Sequence, residues 1–263
     1  MKGTCDGLVI RVSDYGENDK LLTILTADKG KMLVTAKGAR SVRSKMLSMS
    51  HLFVYANFEY YEKNGRKWLS GGSVSDSFYR INSDIVSFTL ASYILQLAAE
   101  ITGEGVPCED VLRMTLNTLY AIEHKLKPTD IIKSAYEIFA AEVSGFSPNV
   151  LTCDECGCEE STSDWWLDVM NGRILCGACL TEKSRGAQIQ PTDELMTRNI
   201  LLPLDASALA AWRYVMSASP KRIFSFSLTG DSLDMFSRST EEYIINHLER
   251  SFEALEFYHA VKE

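Results

Sequence analysis

Between residues 5 and 77 apolar positions fall on every second residue. In "GLVIRVSDY" they are Leu8, Ile10 and Val12; "KLLTILTADKGKMLVTAKG" carries two further apolar runs joined at Asp28-Lys29-Gly30, where glycine supplies the positive φ of a tight turn. "LFVYANFEYYEKNGRKWLSGGSVSD" continues through Phe53, Tyr55, Phe58 and Tyr60, turns at Asn64-Gly65 and resumes with Trp68 and Leu69. Period two over short segments bounded by turn residues predicts strands, five in all, with a break between the third and fourth. Such a set suits a small closed barrel of the OB type; an SH3-like barrel is the competitor, which strand count does not separate. Gly71-Gly72-Ser73 reads as a strand bulge.

Beyond residue 80 the period lengthens to that of helices. In "SFTLASYILQLAAEIT" Phe88, Ala91, Leu95, Ala98 and Ile101 share one face, and in "PTDIIKSAYEIFAAEVSGF" so do Ile132, Ala135, Phe139 and Val143, with Thr129 as N-cap and Gly145 as the C-terminal stop. Ser239 with Glu242 three residues on has the form of a capping box opening a helix that turns Ile245, Leu248, Phe252 and Leu255 inward. The expected fold class is therefore α+β and multidomain: an N-terminal OB-type β-barrel at 1–80, followed by an α-helical domain at 81–263.

Cysteines add a third part. Five of the seven fall between 153 and 179, as "CDECGC" and "CGAC". Cys153 and Cys156, then Cys176 and Cys179, form two Cys-x2-Cys pairs 19 residues apart, the spacing of a four-thiolate zinc site. Two residues between paired cysteines let both sulfurs reach one ion, and a hairpin turning at Asn171-Gly172 brings the pairs together. Gly157 and Gly177 each follow a ligand, where a knuckle needs a residue tolerant of positive φ. An inserted zinc ribbon at about 150–182, holding one structural Zn2+, is the expectation; an iron-sulfur cluster, a redox dithiol and a metal-free knuckle are the alternatives. Cys158 is a spare thiol.

Charge then divides the chain. The net charge is -8, yet residues 1–80 hold 13 Lys and Arg against 8 Asp and Glu, a balance of +5 that leaves -13 for the rest. The excess gathers in "AKGARSVRSKM", which contains Lys37, Arg40, Arg43 and Lys45 and no carboxylate, beside Lys29 and Lys31 on the preceding hairpin. A run of positive charge is usually a solvated face. Here it fills the break in a barrel whose strands carry Tyr15, Tyr55, Phe58, Tyr60, Tyr61 and Trp68, and single-strand binders combine a cationic groove with aromatic faces. Which aromatic set faces outward is open. The six cations are the candidate nucleic-acid contacts. His51, His124, His247 and His259 stand without a partnered nucleophile, so binding is expected rather than catalysis. Lys221 and Arg222 with Ile223, Phe224 and Phe226 form either a rim for an acidic peptide or a buried turn. No apolar run approaches transmembrane length and nothing near Met1 reads as a signal peptide, which predicts a cytoplasmic protein.

These pieces together resemble the RecO family of bacterial recombination mediators. The likeness rests on "GLVIRVSDYGENDKLLTILTADKGKMLVTAKGAR", on "IIKSAYEIFAAEVSGFSPNVLTCDECG" leading into the cysteines, on "GRILCGAC" and on "YIINHLERSFEALEFY". Residues 185–235 show little beyond helical character. The resemblance implies an OB fold, a helical domain and an inserted ribbon. It also implies binding of single- and double-stranded DNA, annealing of complementary strands, and work with RecR and the single-strand-binding protein to load RecA in the RecF pathway, in association with the nucleoid. The alternative is a zinc-ribbon OB-fold module for RNA or tRNA.

Overall fold

A computed structural model describes residues 2–186 and 200–262. The backbone clusters into two compact units, Met1–Leu126 with Phe252–Glu263, and Lys127–Ser251. Strands give way to helices near residue 80, but the first unit continues past that point and closes on the last helix of the chain.

The first unit holds β1 (Lys2–Tyr15), β2 (Asp19–Thr26), β3 (Gly30–Ala36), β4 (Tyr55–Lys63) and β5 (Arg66–Asp76) in a closed barrel of order β1-β2-β3-β5-β4. Closure comes from the parallel contact of β3 with β5 at Thr35 and Trp68, and it fits the OB type. β1 is long enough to serve two neighbours: Lys2–Leu8 pair with β4 and Gly7–Tyr15 with β2, with a bulge between Val9 and Arg11 turning the strand from one to the other. Alternation fills the interior with Val9, Leu22, Ile24, Val34, Phe58, Tyr60 and Leu69. Asn64 and Gly65, both at positive φ, turn β4 into β5. Register shifts fall between Tyr55 and Ala56 and between Glu59 and Tyr60, on either side of the Gly71-Gly72-Ser73 run.

The β2–β3 turn is clasped by its own unit. Lys31 N–H donates to the Gly103 carbonyl at 3.1 Å, and Gly105 N–H to that of Lys29 at 2.8 Å. A Cβ on Gly30, at φ +59, would lie 2.1 Å from the Gly103 oxygen and 2.6 Å from that of Val106. Gly30→Ala is therefore expected to destabilise the barrel by about 3 kcal/mol, since both strain and overlap oppose it. Gly16→Ala, at φ +63 in open space, should cost only about 1 kcal/mol. Urea denaturation of the two variants measures the difference.

Helices α1 (Ile85–Glu100), α2 (Glu109–Glu123) and α7 (Glu253–Lys262) complete this unit. Ala91, Leu95 and Ala98 are buried as the periodicity predicts, but so are Leu90, Tyr93, Ile94 and Leu97. The helix is wrapped by β1, α2 and α7, so one apolar stripe understates it. Phe53 meets Phe88 edge to face at 5.7 Å, and Tyr93 meets Phe252 at 5.5 Å.

The second unit contains α3 (Thr129–Val143), β6 (Asn149–Cys153), β7 (Trp165–Asp168), β8 (Arg173–Cys176), α4 (Gly177–Gly186), β9 (Leu201–Leu204), α5 (Ala206–Ser217) and α6 (Gly230–Leu248). Its sheet runs β6-β8-β7-β9; the β7–β8 hairpin turns at Asn171-Gly172 as expected, whereas β9 lies in a stretch that carries only helical character by sequence. Pro128, not Thr129, is the N-cap of α3, and Val143 is exposed at its far end. Ser239 opens no helix. It lies buried within α6, whose N-cap is Thr229, and its Oγ accepts the Trp212 indole N–H at 2.8 Å. Nor do Ile245, Leu248, Phe252 and Leu255 share a helix: α6 stops at Leu248, Glu249 turns left-handed at φ +50, and Phe252 and Leu255 belong to the other unit. Ile223 is buried and Phe226 packs on Tyr214 and Phe236, so the apolar part of the Lys221–Phe226 cluster is packed inward, while Lys221 and Arg222 are exposed.

Within the core of this unit lies a charged network. The Lys133 ammonium donates to both Glu137 carboxylate oxygens at 3.1 Å and to Glu241 at 2.8 Å, while the Thr240 hydroxyl donates to Glu137 at 2.6 Å. Lys133 and Glu137 side chains are fully buried.

Candidate nucleic-acid interface and metal centre

The loop between β3 and β4 is held by the turn between β1 and β2. Asp19 Oδ1 accepts the Gly38 N–H at 2.8 Å, and the Asn18 carbonyl accepts the Arg40 N–H at 3.1 Å. The Arg40 guanidinium donates to the Gly16 carbonyl at 3.3 Å and pairs with Asp14 at 3.4 Å. "SDYGENDK" and "KGAR" are thus two halves of one structure, a turn that fixes the root of a cationic loop. Asp14 and Asp19 are the residues that sequence reasoning passed over; their only signal was two carboxylates flanking a turn.

Lys37, Arg40, Arg43 and Lys45 are all exposed. Arg40 is paired; Lys37, Arg43 and Lys45 have no carboxylate partner among the described residues. Lys29 and Lys31 differ. Lys29 donates to the Tyr60 hydroxyl at 3.1 Å, which is the main cause holding its ammonium above the ordinary value, and it lies 3.8 Å from Asp28. Lys31 donates to the Ala99 carbonyl at 2.5 Å. These two are half-buried and tied to their own unit by those contacts, whereas the loop four are exposed. Alternation also assigns the aromatics: Phe58 and Tyr60 point into the barrel, Tyr55 and Tyr61 out of it.

In the second unit the sulfurs of Cys153, Cys156, Cys176 and Cys179 all lie within 4.8 Å of one another. Cys156 and Cys176 are 3.8 Å apart, and the edge of a tetrahedron with about 2.3 Å metal–sulfur bonds is about 3.8 Å. The cluster could hold a metal ion. β6 delivers Cys153, β8 delivers Cys176, and Cys179 follows in the first turn of α4. The knuckle closes as Cys153 N–H donates to the Cys158 carbonyl and Gly157 N–H to that of Cys153, both at 2.8 Å. Gly157 has the positive φ expected; Gly177 does not, because it opens α4. Arg173 braces the site, donating to Asp154 at 2.7 Å and to Asp168 at 3.1 Å, and Arg213 of α5 donates to the Val150 and Leu151 carbonyls at 2.8 Å.

Thiols this close titrate as a set. Burial pushes Cys153 up, but N–H groups of Cys156, Cys176 and Glu155 outweigh it and hold the thiol at about 6. Cys156 is lowered as well, chiefly by the Cys158 backbone. Hydrogen bonding to Cys156 raises Cys158 to about 12 and raises Cys179 too. Only a central cation lets all four ligands ionise together, and thiolates favour a soft one.

A model of the N-terminal part of recombination protein O matches residues 1–78, and one of its C-terminal part matches 82–195. Over 181 residues, 69% of each chain, this sequence is 31% identical to a DNA repair protein RecO of Listeria monocytogenes. The chain belongs to the RecO family. A RecO protein of Acetivibrio thermocellus is 27% identical over 251 residues, 95% of this chain and 94% of its own, and one of Alkaliphilus metalliredigens is 25% identical over 252 residues, 95% and 96%. Membership assigns the chain to DNA repair and recombination with a DNA-binding role, for which an OB-type barrel and a four-cysteine cluster are fitting parts. Among the described residues no helix is long and apolar enough to cross a membrane.

Proposed function

We propose that this chain is a non-enzymatic recombination mediator, which binds single- and double-stranded DNA, anneals complementary strands, and acts with RecR on DNA coated by the single-strand-binding protein to help load RecA. The observation that carries the DNA-binding part is the loop at 37–45: four exposed cations on a root fixed by Asp19, three of them without a carboxylate partner among the described residues. Contacts of this kind grip phosphates without choosing sequence, as a mediator acting at any gap requires. The cysteine cluster holds one Zn2+ in a structural role; four thiolates leave no coordination position open for a substrate. The protein works in the cytoplasm, at the nucleoid.

If the four loop cations meet a single strand, they should contribute about -3 to the slope of log affinity against log salt, from about 0.7 per contact. Arg40→Ala with Arg43→Ala should make that slope shallower by about 1.4 and slow annealing of strands coated with single-strand-binding protein. Binding titrations over a salt series, with the annealing assay alongside, check both. An unchanged slope would remove the loop from the interface. RNA outcompeting DNA of matched length would favour a tRNA-binding module instead.

A further inference from the structure

The outer face of the barrel carries a row of side chains that the loop does not account for. Lys2 of β1 stands beside Tyr61 of β4, Tyr61 opposite Trp68 of β5, and Trp68 beside Thr35 of β3. The two rings stack, 5.3 Å between centroids and 17° between planes. Lys37, two residues past Thr35, holds its ammonium 5.8 Å from the Trp68 ring centre. Three strands and the first residue past a fourth thus contribute a crosswise series of cation, tyrosine, tryptophan and cation.

The surroundings are mainly basic. Lys63 pairs with Arg66 in the next outward position toward the hairpin tip, and both are exposed. Lys67 takes up Glu62 at 3.8 Å, but Lys2, Lys37, Lys63 and Arg66 have no carboxylate partner among the described residues. On the other side the row ends at Glu59 facing Gly71. Core packing does not explain the aromatic pair, because Tyr60 and Leu69, the adjacent residues, already fill the barrel while Tyr61 and Trp68 remain partly exposed. A stacked pair does stiffen a hairpin. Stiffening alone gives no reason for four uncompensated cations to surround it.

Flat aromatic faces within a cationic field are the complement of unpaired bases on a phosphate chain. We propose that Tyr61 and Trp68 form a base-stacking platform for single-stranded DNA, with Lys2, Lys37, Lys63 and Arg66 taking the flanking phosphates. A base arriving at Trp68 displaces the Lys37 ammonium, which moves to the adjacent phosphate. Bases inside a duplex are already stacked on one another and leave no free face. The platform therefore sets the preference for single strands, whereas the loop cations hold either form. This rests on the DNA-binding reading above.

The test compares strands of about 12 nucleotides, within the site sizes of single OB folds, that are intact or carry abasic sites at the same phosphate count. The wild-type chain should bind the intact strand on the order of 10-fold more tightly than the abasic one. Trp68→Ala should abolish that ratio while leaving the salt slope and duplex affinity unchanged; Trp68→Phe, which retains a ring, should preserve most of it. A ratio that persists in Trp68→Ala, or a wild-type ratio of one with both strands bound, overturns the platform. Failure of either strand to bind overturns instead the DNA-binding reading beneath it. Circular dichroism melts of both variants confirm that the barrel is folded in each comparison.

Discussion

Cys153→Ser should strip the chain of its metal, taking bound zinc from one ion per molecule to none and lowering the melting temperature of the unit that carries the ribbon. Cys153 sits at the centre of the knuckle: its side chain is buried, its sulfur accepts the Cys176 N–H at 3.3 Å, and its own N–H and carbonyl close the turn through Cys158 and Gly157. In small zinc-dependent peptides the metal contributes about 10–16 kcal/mol and is the whole of the fold. Here Arg173 and Arg213 brace the ribbon independently, so the expected loss is smaller, about 3–5 kcal/mol. Metal analysis after gel filtration and thermal melts with and without chelator check it; chelated wild type should melt like the variant. A wild-type chain free of metal, with a melt that chelator leaves unmoved, would sink the zinc assignment. Acid should act in the same direction, because protons compete with the metal for the thiolates.

Lys133→Met should destabilise the same unit by about 3–5 kcal/mol, because it leaves the buried Glu137 carboxylate without its cation. The hydroxyl of Thr240 would remain as a donor to Glu137, too little to compensate a full charge. Adding Glu137→Leu should recover most of the loss, since an apolar pair of similar volume avoids desolvating two ions. Urea denaturation of the single and double variants measures both. Burial lowers the Lys133 ammonium's pKa, but Glu137 and Glu241 outweigh it and leave it above the ordinary value. A raised lysine contributes fully below its unfolded value and loses that contribution only as pH rises through the folded one, so wild type supplies no pH dependence of its own near neutrality. In Lys133→Met the buried Glu137 carboxylate has lost its cation and takes up a proton more readily, so the gap between the two proteins should narrow as pH falls.

The barrel was legible because its strands announce themselves twice, by alternation and by turns such as Asn64-Gly65. What separates an OB barrel from an SH3-like one is the parallel touch of Thr35 on Trp68, a contact between distant segments that leaves no local mark. The cysteine set was legible for the opposite reason: spacing alone carries the geometry of a tetrahedron, and the sulfurs did converge. Charge is visible in a sequence and its partners are not: Tyr60 and Ala99, which accept hydrogen bonds from Lys29 and Lys31, lie 31 and 68 residues away. Ile245, Leu248, Phe252 and Leu255 kept helical spacing across a break at Glu249, since two shorter helices in different cores each need apolar residues at the same interval. The ties from Asp14 and Asp19 to the loop could not be read from a strand edge at all.

The helix at Glu253–Lys262 packs on Ile85–Glu100 within a unit that otherwise ends at Leu126. On the ribosome the barrel's strands emerge ahead of the whole ribbon-bearing unit, so the helical surface beside them waits uncovered until Glu253–Lys262 has followed that unit out.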